Sequence, residues 1–431
     1  MTFKIVATLV SAASLLSCGQ VSQPAQQEKS LLKSVDLPQT QVRNQEKAGF
    51  CWSYAALSLV ESLHKSQTGQ SVNLNEHALV FAMHIAQLEE LLTAYKRGYP
   101  VNEIVQFSKQ ISFQGWVLGL PEHLKENEAL GKKKDVLDLL KEFGAIRKED
   151  WKTNYDFKSA DQAERLARKI QSGFERLITR RSAESITRAD LEYVLQDAWG
   201  TRPPETIYVN GRRTTPQQYL EKELGFDTNE FTTVGSWGES ATSRQVDRIL
   251  EATKLSLAAG YSVPVGFAVS FDALRAGKQG QFGFKTHDHT TFDRVSPEDA
   301  RSYVADGGHA VLITDFKNVG GKFGKISKEQ LVTELQKQPS QVEEVLVKNS
   351  WGFSASSNES GVKIVGSESG YYTLDQGYLR LSADSGLLDV IVPKWIAQIV
   401  NQNFYGTTRN SEFSYQQLSH VFSNSLIHEL R

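Results

Sequence analysis

The chain has 431 residues, of which 40% are hydrophobic and 23% are charged, the composition of a soluble globular protein with a large core. Lys and Arg number 48 and Asp and Glu 50, so the net charge is −2. This balance argues against a general nucleic-acid binder and against a polybasic membrane surface.

The first residues have the layout of an export signal. Lys4 precedes an apolar stretch that ends at Leu16, and Cys18 follows among small residues. The stretch is too short to span a membrane. The sequence LLSC resembles the lipobox of bacterial lipoproteins, in which the cysteine is acylated and becomes the new N-terminus. We expect a signal over residues 1–18 and a lipid anchor at Cys18 on the bacterial envelope. A plain cleaved signal on a secreted protein, with Cys18 incidental, is the alternative.

Residues 19–37 are rich in Gln, Ser and Lys without periodicity, which predicts a tether. Helices are predicted where apolar residues recur every third or fourth position. Such patterns start at Cys51 (Ala55, Leu59, Leu63), at Val136 (Leu140, Phe143, then Gly144) and at Leu166 (Ile170, Phe174, Leu177). Ser159–Gln162 matches a capping box, and Thr215-Pro216 suits a cap followed by the first helical position.

The later part of the chain predicts a sheet. Its segments are short, β-branched or aromatic, and bounded by Gly, Asp or Asn. They are VPVGFAV (263–269), HAVLITDF (309–316), EVLVKNSW (344–351), GYYTL (370–374) and GYLRL (377–381). The fold class is therefore α+β, with helices first and a sheet or barrel later.

Cysteine is rare in this sequence, with two residues in all. With Cys18 lipidated, Cys51 would be the remaining thiol, so no internal disulfide could form. Cys51 lies at the start of a predicted helix, where the macrodipole lowers a thiol pKa. It is either a buried small hydrophobe or a catalytic nucleophile.

Nucleophilic catalysis by cysteine also needs a base, a group that orients the base, and oxyanion donors. His309 follows two glycines at the start of a strand, and Asn349 ends another strand in VKNSWGF. An Asn carbonyl can accept from the imidazole N–H, and Trp351 could shield that hydrogen bond from water. Singly each signal is weak, since such a His is often structural and the Asn could lie in a turn. In the order Cys, His, Asn they are specific.

The sequence resembles the papain-like cysteine peptidases in VRNQEKAGFCWSYAALSLVE, LNEHALV, GGHAVLITDF, VKNSWG and GYYTL…GYLRL. The resemblance implies a two-lobed fold, with a helical N-terminal lobe and an antiparallel β-barrel-like C-terminal lobe. It also implies that Cys51 is the nucleophile, His309 the general base and acid, and Asn349 the residue that orients the imidazole. Gln45 would be the oxyanion donor, together with the backbone N–H of Cys51.

The same comparison suggests substrate-binding residues at Gly49, Trp52, Gly308 and Trp351. Two departures from the usual C-G-[SA]-C-[WY] pattern stand next to Cys51. Ala48 replaces a cysteine, and Phe50 is bulkier than the usual Ser or Ala, so it could narrow the site. The paired glycines that bind substrate backbone in this family have no clear counterpart, Gly131 being the nearest candidate.

The segment 189–225 resembles, less specifically, the insertion of the bleomycin hydrolase and aminopeptidase C branch. We expect a peptidase domain over 38–382 with a helical insertion at about 150–255, and an extension of unknown role over 383–431. The hexamer of that branch is not carried over, because its cytosolic location disagrees with the export signal. Oligomeric state stays open.

The sequence thus predicts a peptidase acting on peptides or proteins through a thioester, with no metal or organic cofactor and no nucleic-acid partner. One alternative is an envelope lipoprotein that binds peptides without turnover. Another is a transpeptidase. His287 and His289 have a spacing that a metal could use, but a solvated loop is the favoured interpretation. His77 is expected to pack or cap on a helix.

Overall fold

The computed structural model describes residues 37–109, 111, 135–235, 242–269, 281–282, 307–324, 328–352, 370–384 and 386–405. The predicted signal, the lipidation candidate Cys18, nearly all of the tether, Gly131, His287 and His289 lie outside the described residues. Within these ranges, no helix combines the length and apolarity needed to cross a membrane.

The first half of the chain forms a helical lobe, as predicted. Its helices are α1 (Cys51–Thr68), α2 (Glu76–Lys96), α3 (Val101–Ser108), α4 (Val136–Phe143), α5 (Ala160–Arg180) and α6 (Arg188–Trp199). Helix α1 is central, since every residue from Trp52 to Leu63 is buried. The predicted apolar face of this helix is therefore part of a helix that is buried all round.

Two predicted helix boundaries are confirmed, and one cap is wrong. Helix α4 ends at Gly144, which has φ 71°. Thr215 and Gln218 form a capping box around Pro216. Ser159 is the N-cap of α5, but its side chain makes no capping hydrogen bond. Gln162 instead accepts a hydrogen bond from the backbone N–H of Phe157, which has a left-handed φ of 53°.

Residues between α6 and the sheet form short elements. They are the hairpin β1 (Ile207–Val209) and β2 (Arg212–Thr214), a helical turn Pro216–Gln218 that continues as a π-helical turn Tyr219–Glu223, and a 3-10 turn at Thr228–Glu230. Further 3-10 turns lie before α6, at Lys148–Asp150 and Ala183–Ser185, and within the second lobe, at Pro339–Gln341. The hairpin is separate from the main sheet.

The second lobe is built on a seven-stranded sheet of order β3-β9-β4-β6-β7-β8-β5. Its strands are β3 (Phe231–Gly235), β4 (Val263–Val269), β5 (Gln281–Phe282), β6 (Gly307–Asn318), β7 (Val342–Lys348), β8 (Tyr371–Asp375) and β9 (Asp389–Pro393). All neighbours are antiparallel except β5 and β8, which are parallel. Among the described strands the sheet is open and forms no closed barrel; β3 and β5 are its two edges.

In the described ranges, four helices accompany the sheet: α7 (Ser243–Ala258), α8 (Lys328–Gln336), α9 (Gln376–Asp384) and α10 (Lys394–Tyr405). The predicted strand GYLRL (377–381) lies in α9. Asp375 accepts a hydrogen bond from the N–H of Tyr378, and Tyr378, Leu381 and Ser382 are buried at helical spacing. The C-terminal segment, which sequence analysis left unassigned, supplies β9 between β3 and β4.

Strand β6 separates two cores. Ala310 and Leu312 belong to the core of the helical lobe, whereas Val311 and Ile313 belong to the core on the other side of the sheet. This alternation is the period-two pattern of a strand buried on both faces. Helix α1 packs against β6. The N-terminus of α1 is thereby brought to the start of β6, where His309 lies.

Candidate active site

Cys51 is the first residue of α1, and the residue is half-buried with a free thiol. The sulfur receives a hydrogen bond from the backbone N–H of Ala310, the residue after His309. Burial of the sulfur raises the pKa of the thiol to about 11, although backbone N–H groups at Ala310, Trp52 and Cys51 itself lower it. The thiol therefore lies beside β6, next to the residue that follows His309.

His309 lies near the start of β6 and is 5% exposed. Its Nε2 is 2.8 Å from Oδ1 of Asn349. Because an amide oxygen only accepts, Nε2 carries the proton and donates it, which leaves Nδ1 with a free lone pair. Burial lowers the pKa of His309 to about 4, and the hydrogen bond with Asn349 raises it. The imidazole is thus a neutral base at pH 7.

Asn349 follows β7 and is 3% exposed. Its Oδ1 also accepts from the backbone N–H of Ser350 at 2.7 Å. This second donor fixes which end of the amide faces His309, since an NH₂ group could not accept from Ser350. The indole of Trp351 stacks on the imidazole, with ring centroids 4.6 Å apart and planes at 24°. Trp351 therefore lies where the sequence places a shield over the histidine.

Gln45 is hydrogen-bonded to Ser350, in the loop that follows β7. Its backbone N–H donates to the carbonyl of Ser350 at 2.8 Å, and its Oε1 accepts from the Ser350 hydroxyl at 2.5 Å. Nε2 donates one proton to the carbonyl of Ala48 at 2.9 Å. The second N–H of this amide remains for a ligand. Asn44, next to Gln45, pairs with Trp351 in an isolated bridge.

No protein-family model matches the sequence, and no curated protein matches it. Among solved structures, PepW from Lactobacillus rhamnosis HN001 is similar, with 16% identity, 86% of this chain and 85% of that chain covered, and a TM-score of 0.53. The chain has the papain-like fold. Xylellain, a cysteine protease from Xylella fastidiosa, is also similar, at 15% identity, with 85% and 88% of the two chains covered and a TM-score of 0.39.

Within this papain-like fold, the other predicted site residues have different positions. Gly49 is half-buried in the loop before α1, and Gly308 is exposed at the start of β6. Trp52 is 3% exposed, so its ring belongs to the core of the helical lobe. Phe50 is completely buried against His77 and Phe157, so it cannot narrow the cleft, and that expectation is wrong.

His77 packs on α2 as predicted. Its ring lies 5.6 Å from that of Phe50 and 5.1 Å from that of Phe157. Burial lowers its pKa to about 3, so the ring is neutral. In the part of the chain that the structure describes, no group of three or more His, Cys, Asp and Glu side chains is arranged to hold a metal ion.

Sequence analysis missed Ser350 and a set of buried charges beneath the site. Ser350 uses its N–H, carbonyl and hydroxyl to join Asn349 to Gln45. Below it, Lys348 donates to Thr40, which donates to Glu61 on α1. The Asn-Ser-Trp motif contained the signal for Ser350, but a sequence alone does not show that Glu61 and Lys348 meet.

Proposed function

We propose that the protein is a cysteine peptidase that hydrolyses peptide bonds through a thioester on Cys51. The main support is the hydrogen bond from His309 Nε2 to Asn349 Oδ1, with the amide orientation fixed by Ser350. This arrangement sets the imidazole tautomer and presents Nδ1 as the base. The fold of PepW-like proteins is consistent with this activity, and the chemistry rests on the residues of this chain.

In the proposed reaction, His309 Nδ1 takes the proton of the Cys51 thiol and the thiolate attacks the peptide carbonyl. The developing oxyanion would receive the backbone N–H of Cys51 and the remaining N–H of Gln45 Nε2. His309 then gives its proton to the leaving amine, and the acyl group stays on sulfur. A water attacks the thioester, with His309 as base, and the carboxylic acid and the thiol are released.

Burial favours the neutral forms of the Cys51 thiol and the His309 imidazole. It raises the pKa of the thiol and lowers the pKa of the imidazole. Proton transfer creates two opposite charges side by side, and their attraction offsets part of this cost. At ~4 Å and an effective dielectric of ~20 the attraction is about 4 kcal/mol. The imidazole is therefore essential to thiolate formation.

Alkylation by iodoacetamide tests this dependence. We would use the chain starting at Gly19, in which Cys51 is the sole thiol. At pH 6, wild-type protein should react at least about tenfold faster than His309→Ala. His64→Ala is the matched control, because His64 lies 13 residues further along α1, about 20 Å away, and should react like wild type. Equal rates for wild type and His309→Ala would contradict the proposal.

Turnover separates the peptidase from its alternatives. Cys51→Ala should abolish cleavage of a peptide library, and product masses with and without an added amine distinguish hydrolysis from transpeptidation. A protein that binds peptides without cleaving them would retain the peptides intact. A bulky Phe50 in the cleft would have favoured binding without cleavage, but Phe50 packs into the core.

We further propose that the protein is exported and anchored to the bacterial envelope by a lipid on Cys18, and that its substrates are peptides or proteins. The support is the apolar stretch and the LLSC sequence near the N-terminus. Expressed in a bacterium, the wild type should fractionate with membranes and carry an acylated N-terminal cysteine by mass spectrometry. Cys18→Ser should lose both properties; membrane association without acylation would refute the anchor.

A further inference from the structure

A small cavity lies behind the candidate active site, between α1 and the ends of β6 and β7. Tyr54 and Ser58 line it from the helical lobe, and Lys348 and Asn349 line it from the sheet, with Arg43 at one side. It is about the size of a single small ion or water molecule. Cys51, His309 and Gln45 do not line it, so the cavity is separate from the groups of the proposed reaction.

Two buried donors at this cavity have more N–H groups than acceptors. Lys348 is 5% exposed, and the hydrogen-bond acceptor for its ammonium among the described residues is Thr40 Oγ1, at 2.9 Å. Asn349 uses its oxygen twice, but its Nδ2 has no acceptor within the described part of the chain. A buried donor without an acceptor costs about 1–3 kcal/mol. Both side chains therefore favour an acceptor in the cavity.

The charges around the cavity do not balance. Arg43 pairs with Glu61 at 2.9 Å and also with Glu76. Lys148 pairs with Glu76 at 3.0 Å. Lys348 is a third cation, and no carboxylate among the described residues lies within salt-bridge distance of it. Counting Lys148, whose side chain is 41% exposed, the three cations outnumber the two carboxylates by one.

The titration of Lys348 agrees with this imbalance. Burial lowers its pKa to about 8; Glu61 and Glu76 raise it, whereas Arg43 and Lys65 lower it. A buried ammonium is stabilised in its charged form when a counter-charge lies next to it. A water molecule could accept the available hydrogen bonds, but it would leave the excess charge in place.

We propose that this cavity binds a small monovalent anion of halide size, which accepts hydrogen bonds from the Lys348 ammonium and Asn349 Nδ2. The anion would balance the third cation and satisfy both donors. It would also fix the Asn349 amide from its nitrogen side, as Ser350 does from its oxygen side. The anion therefore positions the residue that orients His309.

The first test compares chloride with gluconate, an organic anion too large for the cavity, at constant ionic strength so that general screening is unchanged. For wild-type protein, chloride should raise the unfolding midpoint saturably by a few degrees. The ³⁵Cl NMR line should broaden in the presence of the protein and narrow again when bromide competes. Neither measurement depends on peptidase activity, so both test the site even if the proposed function is wrong.

Variants locate the effect. Lys348→Met should lose the chloride-specific shift and the line broadening. Lys317→Met is the matched control on β6. Lys317 does not line the cavity, and its ammonium pairs with Glu344 at 2.9 Å, so this variant should behave like wild type. If Lys348→Met does not fold, Ser58→Val, which puts two methyl groups in place of a hydroxyl that lines the cavity and so fills it, should abolish both signals instead.

A kinetic measurement, which rests on the proposed function, completes the test: kcat should increase several-fold from gluconate to chloride with little change in KM. Wild-type protein without a chloride-specific shift or ³⁵Cl broadening would overturn the proposal and indicate water in the cavity. A shift that persists in Lys348→Met or in Ser58→Val would also overturn it, because the ion would then bind elsewhere.

Discussion

The hydrogen bond between Asn349 and His309 provides the sharpest test of the site. Asn349→Ala removes the acceptor 2.8 Å from Nε2 and leaves the rest of the loop in place, since Ser350 is still joined to Gln45. The variant also removes the Nδ2 donor that has no acceptor among the described residues. Because the N–H groups of His309 Nε2 and Ser350 lose their acceptor, the free energy of unfolding should fall by about 1–3 kcal/mol per donor, and the loss of rate is measured on the folded variant.

The magnitude follows from the charge that His309 gains during the reaction. A hydrogen bond between neutral groups contributes about 1 kcal/mol, whereas one from a charged donor contributes about 1.5–3 kcal/mol. The difference, about 0.5–2 kcal/mol, is realised only when the imidazolium forms. Since about 1.4 kcal/mol corresponds to tenfold in rate, we expect kcat to fall by about two- to thirtyfold with little change in KM.

The pH profile distinguishes this role from general damage to the fold. The hydrogen bond with Asn349 raises the pKa of His309, so the acid limb of kcat/KM should move to lower pH in Asn349→Ala. In Asn349→Asp the carboxylate favours the imidazolium, so the limb should move to higher pH. The assay is cleavage of a fluorogenic peptide from pH 3 to 9. Wild-type rates in Asn349→Ala, or limbs that shift in the same direction in both variants, would refute the reasoning.

Three further predictions follow from single contacts. Gln45→Ala should lower kcat by about a hundredfold or more through loss of one oxyanion donor; kinetics of Gln45→Ala close to those of Ser350→Ala, which retains the donor, would contradict this. Trp351→Ala should expose the hydrogen bond of His309 to water and lower kcat by about tenfold without changing the unfolding midpoint by more than a few degrees; an unchanged kcat would count against shielding. Burial raises the pKa of Asp389 to about 7. The folded state therefore retains a proton that the unfolded chain releases near pH 4. As a result, the free energy of unfolding should fall by about 4 kcal/mol as the pH rises from 4 to 7. Asp389→Asn should lose this decline in a denaturant series, and an identical decline would show that Asp389 does not cause it.

The secondary structure was predictable where local pattern and tertiary packing agree. VPVGFAV forms β4 with the predicted bounds because it is buried on both faces and its Val and Phe residues favour a strand, although Pro264 near its start cannot donate to the ladder. GYLRL had an equally apolar pattern, yet it is helical because Asp375 caps it and α9 packs against α7. Five residues are too few for periodicity to separate a buried strand from a buried helix.

The site was predictable only in part, for a geometric reason. Cys51, His309 and Asn349 stand at element ends, where glycines, a helix start and a strand end are visible in the sequence. Their side-chain directions are set by contacts between segments some 260 to 300 residues apart, such as Cys51 with Ala310 and Gln45 with Ser350. Phe50 shows the limit: proximity to the nucleophile suggested the cleft, but the turn into α1 directs its ring into the core.

The buried charges link the two halves of the site. Glu61 on α1 accepts from Thr40, Arg43 and the N–H of Leu74, and Thr40 in turn accepts from Lys348 on β7. Cys51 begins the helix that carries Glu61, and Asn349 follows Lys348. A shift of α1 relative to β7 would therefore break charge-assisted hydrogen bonds between buried groups, where they are costly to lose. We infer that this network fixes the distance between Cys51 and His309 more firmly than apolar packing alone could.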